Sequence, residues 1–161
     1  MKYLFLAVSS MLAIVAQMIA GNNFLLFNFL DLSIILIAYW AIERSRTQAL
    51  FVGSLTGLLV DAALGWPIGY NGFGKTIAAF AIGVAARRFN VEGAPIRFAV
   101  VTCASCLSSA TMFLLFEAFG RRPGRIFLGA ALIQAITTGV AGAAMLSILE
   151  AYRRAHPHRA S

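Results

Sequence analysis

Apolar residues fill the chain in long blocks, too long for strands and too unbroken for surface helices. The first covers residues 3–20, broken only by Ser9, Ser10 and Gln17. A second covers 24–42, interrupted by Asn28 and Asp31 and closed by Glu43-Arg44-Ser45-Arg46. The third, 49–64, stops at Gly65-Trp66-Pro67, where glycine can follow a helix end and proline cannot continue it. The fourth opens at Asn71 or Gly72 and closes at Arg87-Arg88. A loop over 90–97 leads to the fifth block, 98–119, and Gly120-Arg121-Arg122-Pro123-Gly124-Arg125 separates that from the sixth, 126–149. Each block is close to the ~20 residues that carry a helix across the hydrocarbon of a bilayer. The pattern predicts an all-α bundle of six transmembrane helices in one domain, 1–152, followed by a short basic tail, 153–161. The first block sits behind Met1-Lys2 as a signal peptide would. It is longer than the usual signal core and no A-x-A site follows, so it reads as a retained span.

Composition agrees with the pattern. Of 161 residues, 60% are hydrophobic and 12% charged, about half the charge of a soluble domain. With spans this closely spaced, little chain is left for a catalytic or binding domain outside the bilayer. The cations set an orientation: Lys2, Arg44, Arg46, Arg87, Arg88, Arg97, Arg153, Arg154 and Arg159 fall on the side of the N-terminus. By the positive-inside rule both termini are expected to be cytoplasmic. Arg121, Arg122 and Arg125 run against that trend, and with Trp66 they are candidates for contact with a partner or with lipid. The net charge of +7 follows from these loop cations, which form no continuous stripe with interleaved aromatics, so nucleic acid is not an expected partner.

The third block carries the most specific pattern. Glycine or aspartate recurs at every fourth position: Gly53, Gly57, Asp61, Gly65, Gly69. Four residues advance a helix by roughly 400°, so Gly53, Gly57 and Asp61 share one face. Small residues four apart let helices approach closely in lipid, and Gly53, Gly57, Gly65, Gly69, Gly139 and Gly142 are expected to serve helix packing or partner docking. A carboxylate within a span costs about 2.5–3.5 kcal/mol on insertion, so Asp61 needs a partner. Lys75 lies a similar distance inside the fourth span if Asn71 caps that helix, and the spacing predicts an Asp61–Lys75 ion pair. Asp61 capping the following loop, or a protonated Asp61 bonded to Thr76 or Asn71, are the alternatives. Asp31, ahead of Leu32-Ser33-Ile34, is expected to cap the second helix. Glu117 and Arg121, four apart, can pair along one face.

Little else bears chemistry. Cys103-Ala104-Ser105-Cys106 has C-x-x-C spacing but stands in an apolar helix with no strand before it, so buried thiols are expected rather than a redox site. The two histidines, His156 and His158, are in the tail, and no hydrolase, zinc-protease or P-loop motif occurs. The expectation is a protein that is not an enzyme, with no catalytic residue, metal or cofactor.

The run Gly53-x3-Gly57-x3-Asp61-x3-Gly65-x3-Gly69, reached from a span ending Ala38-Tyr39-Trp40, resembles the rod shape-determining protein MreD family. The segment from Pro67-Ile68-Gly69-Tyr70-Asn71 to Gly72-Phe73-Gly74-Lys75-Thr76 is similar to the same family. The resemblance implies a bacterial inner-membrane protein of the cell-elongation machinery, with a six-helix fold like the substrate-binding (S) components of energy-coupling factor transporters. It implies MreC as a partner, with MreB, RodA and its transpeptidase in the same side-wall peptidoglycan assembly, and no catalytic residue. The expected function is therefore a membrane scaffold whose lateral groove receives a partner's transmembrane or juxtamembrane segment. The alternative is the S component of a vitamin transporter, which would hold a chamber lined by Asn22, Asn28, Asp31, Asp61, Asn71 and Lys75.

Overall fold

The structure, a computed structural model, describes residues 8–17, 30–89, 91, 93–120 and 127–155. Six α-helices follow one another, and no strand occurs among the described residues: α1 (Val8–Gln17), α2 (Leu32–Glu43), α3 (Arg46–Leu64), α4 (Tyr70–Arg88), α5 (Ala94–Ala118) and α6 (Phe127–Ala155). Local chemistry sets their ends. The Asp31 carboxylate accepts from the N–H groups of Ser33 and Ile34 and starts α2. The Ser45 hydroxyl accepts from Gln48 N and starts α3 only two residues after α2 ends. Gly65, at φ +64°, ends α3 in the left-handed conformation that side chains resist. Pro95 sits in the first turn of α5, where its missing N–H is not needed.

α2 is the axis of the bundle. It packs against α3, α4, α5 and α6, which follow one another around it as neighbours in chain order. α3 and α6 do not pack against each other, and Ile14 and Gln17 of α1 stand with residues of both at the cavity between them. Ile34, Ile37 and Ala38 are fully buried on α2, against Val52 of α3, Ala78 and Ile82 of α4, Val101 of α5 and Leu146 of α6. The outward faces are apolar too: Phe51, Phe73, Phe80, Leu114, Ile136, Val140 and Ile148 are all exposed. Contiguous apolar surface on this scale belongs against lipid rather than water.

Among the described residues three helices are long and apolar enough to cross a membrane: α3, α5 and the Phe127–Tyr152 part of α6. α2 is 12 residues long and begins directly after its cap, Asp31. α4 has the length but carries Lys75, Arg87 and Arg88. α6 continues to Ala155, with Arg153 and Arg154 in its last turn. At that end of the bundle the guanidinium of Arg97, itself buried, lies 2.5 Å from Glu150 and ties α5 to α6. Glu150 also pairs with Arg154 one turn on.

Candidate functional site

The two ends of the bundle differ in kind. The Arg97 end collects Arg44, Arg46, Arg87, Arg88 and Arg154 at helix termini. The other end, marked by Trp66, holds the α3–α4 turn, the start of α2 and the start of α6. Nearly all the remaining buried chemistry lies there.

Asp61 sits one turn before the end of α3 and is fully buried. Its carboxylate accepts from Gly69 N (2.8 Å), Asn71 N (3.1 Å) and Gly72 N (3.3 Å), and from the Asn71 side-chain amide (2.8 Å). The open N–H groups at the start of α4 are thus capped from the preceding helix. The residue preceding α4, Gly69, has φ +110° and no side chain to do it. Asn71 is inside α4 and donates to Asp61, so it is not the helix cap expected from the sequence. Thr76 bonds its hydroxyl to Gly72 O within its own helix.

Lys75 does not take Asp61 as its partner. Its ammonium lies 3.0 Å from Asp31 Oδ1, and only 2% of the Lys75 side chain is exposed. This corrects the expected Asp61–Lys75 pair. Asp61 is already saturated by the turn that follows it, and Asp31, which opens α2, is the carboxylate left facing α4. Asp31 Oδ1 also accepts from Ser33 N and Ile34 N, and the Asp31 N–H donates to Thr138 Oγ1 at 3.0 Å. One residue therefore links the start of α2 to α4 and α6.

The glycines divide into three uses. Gly53 and Gly57 seat α3 on α4: a Cβ on Gly53 would stand 2.8 Å from Lys75 O, and one on Gly57 2.5 Å from Asn71 O. Gly139 and Gly142 seat α6 on α5, with Gly139 against Thr102 and Gly142 3.0 Å from a methyl of Val101. Gly65 and Gly69 have open space around them and serve the turn through positive φ. Gly129, near the start of α6, also faces open space.

A cavity of about 610 Å³ opens at the Trp66 end, beyond the start of α2. Val60, Ala63 and Leu64 of α3 wall one side, Ala130, Ala131 and Gln134 of α6 the other, and Ile14 and Gln17 of α1 also line it. Asp31, Lys75, Ser105 and Ser108 provide polar groups, and Asn71 reaches it from α4. Asp61 is not among the lining residues. Trp66 stands at the rim, edge-on to Phe116, which also meets Tyr70 and Phe127. Arg121, Arg122 and Arg125, like Asn22 and Asn28, lie outside the described residues, as does the partner expected for Glu117. Ser105, Ser108 and Thr138 were not singled out by the sequence. Their signal was weak, small polar residues in the apolar stretches of α5 and α6 that read equally well as helix packing.

The chemistry here holds and orders helices. No group of three or more His, Cys, Asp or Glu residues that could bind a metal occurs among the described residues. Cys103 and Cys106 are free and exposed on α5, not buried as expected.

A helical membrane protein with a polar cavity at one end and basic helix termini at the other is what fold and site define. The chain belongs to the MreD family: the family model described as rod shape-determining protein MreD matches residues 1–146. No curated protein and no solved structure matches the chain. The family is one of cell-shape determination, not a known enzyme family.

Proposed function

We propose that this chain is a non-enzymatic scaffold of the bacterial cell-elongation machinery in the inner membrane. It holds the bitopic protein MreC and so helps to place MreB, RodA and its transpeptidase for side-wall peptidoglycan synthesis. The observation that carries this reading is the cavity between α3 and α6, two helices that do not pack against each other. α3 packs on α4, α4 on α5 and α5 on α6, each seam with a glycine against the neighbouring helix. The cavity has apolar, small-residue walls on α3 and α6, a surface that suits an entering helix or juxtamembrane segment. Membership of the family supports MreC as the occupant, in preference to the vitamin of a transporter S component.

The orientation belongs to the same proposal. The Arg97 end faces the cytoplasm with both termini, and the Trp66 end faces outward, because the cations gather at the former. The intramembrane charges support a role without catalysis, since Asp61 is taken up by the α3–α4 turn and Asp31 and Lys75 by each other.

Co-purification with MreC tests the reading. Ala63→Trp and Ala131→Trp fill the cavity and are expected to abolish recovery of MreC. Ala110→Trp, on the exposed face of α5, is expected to leave it intact. Recovery of MreC with both cavity variants at the level of the control overturns the proposal.

A further inference from the structure

The cavity is lined by polar groups whose hydrogen-bonding capacity is not filled among the described residues. An ammonium has three donors, and Lys75 spends one of them, on Asp31 Oδ1. That same oxygen takes all three hydrogen bonds made to the Asp31 carboxylate, so Oδ2 accepts none among the described residues. The hydroxyls of Ser105 and Ser108, on residues 2% and 8% exposed, have no hydrogen-bond partner among the described residues. Gln17 Oε1 is buried without a partner as well. Buried polar groups are normally paired, because an unpaired one costs free energy comparable to a lost hydrogen bond. Donors and acceptors without partners among the described residues, lining one cavity within the size range of small-ligand sites, mark a binding surface.

We propose that this cavity is a binding site for a small, uncharged amphiphile bearing an amide, or an equivalent donor beside an acceptor. The charge follows from the site. Asp31 and Lys75 neutralise each other, so a charged ligand would bring an uncompensated ion into a low-dielectric cavity. The amide follows from the free groups: its carbonyl accepts from Lys75 or a serine hydroxyl, and its N–H donates to Asp31 Oδ2. The apolar portion follows from the walls, where Leu64, Trp66, Met112 and Phe127 offer aliphatic and aromatic surface. Lys75 lies five residues into α4, about 7.5 Å from its start at 1.5 Å per residue, so a ligand must reach past the first turn of that helix to meet it. The inference does not depend on MreC, since these groups lack partners among the described residues whether or not the cavity receives a helix.

Three indole probes test it on the full chain in lipid nanodiscs, with binding to empty discs subtracted: N-acetyltryptophanamide (neutral), N-acetyltryptophan (anion) and tryptamine (cation). Saturable binding of the neutral probe is expected, about tenfold tighter than either charged one. The Ser105→Ala/Ser108→Ala double variant is expected to weaken it about tenfold while keeping the parent's melting temperature. Equal or tighter binding of a charged probe overturns the proposal. So does binding unaffected by the double variant, or no binding above that of empty discs.

Discussion

Asp31 and Lys75 are 44 positions apart in the chain and meet at 3.0 Å, in a bundle where both are almost wholly removed from solvent. Two opposite charges in such surroundings stabilise each other, but chiefly they must not be separated. Removing one partner of a buried pair typically costs about 3–5 kcal/mol, whereas replacing both can be nearly neutral. Lys75→Met alone is therefore expected to lower stability by about that amount, and Asp31→Asn/Lys75→Met together by much less. Equilibrium unfolding in mixed micelles of all four forms measures the coupling. Additive single effects would show that the pair does not act as a unit.

Asp61 works on backbone rather than on charge. With four donors converging on it, Asp61→Ala leaves the N–H groups of Gly69, Asn71 and Gly72 without their acceptor. The expected result is faster hydrogen exchange at residues 69–72 and a loss of roughly 1–3 kcal/mol. Exchange at those amides unchanged from the parent would show that the turn holds itself.

Gly57 and Gly129 lie on different helices and make opposite demands. A methyl group on Gly57 runs into the backbone of Asn71 and Gly72, whereas one on Gly129 meets nothing within 4 Å. Gly57→Ala is expected to cost about 1–3 kcal/mol by forcing α3 off α4. Gly129→Ala is expected to be neutral or slightly stabilising. Parallel melting curves decide it.

The α5–α6 seam offers a rescue. The atom in the way of a methyl group on Gly139 is the Thr102 hydroxyl, which is buried and makes no hydrogen bond of its own. Gly139→Ala should destabilise the chain, and Thr102→Ala in the same chain should restore part of the loss. A double variant no more stable than Gly139→Ala would mean that Phe98, the next neighbour, carries the strain.

Much of this arrangement is legible from the amino acids alone. Helix content and membrane character follow from block length and apolarity, and the capping role of Asp31 from its place ahead of an unbroken apolar run. The pairing of Lys75 is not legible, because two carboxylates lie within reach and chain distance favours the wrong one. Choosing between them requires knowing that α2 stands at the centre of the bundle, so that its first residue faces α4. Asp61, meanwhile, finds its donors in the turn it precedes. Gly139 and Gly142 show the same limit. Their spacing marks a close approach, but only the packed bundle reveals that α5 occupies the face they offer.

Because α2 is the axis and Asp31 its first cap, the chamber above it owes its depth to where one aspartate falls in the chain. Moving that cap four positions toward the N-terminus would raise the floor by about 6 Å and fill much of the space with side chains. Moving it the other way would strip Lys75 of its counter-ion. The size of the vestibule and the burial of its charge are thus a single quantity, set at one position, and neither can drift in evolution without dragging the other along.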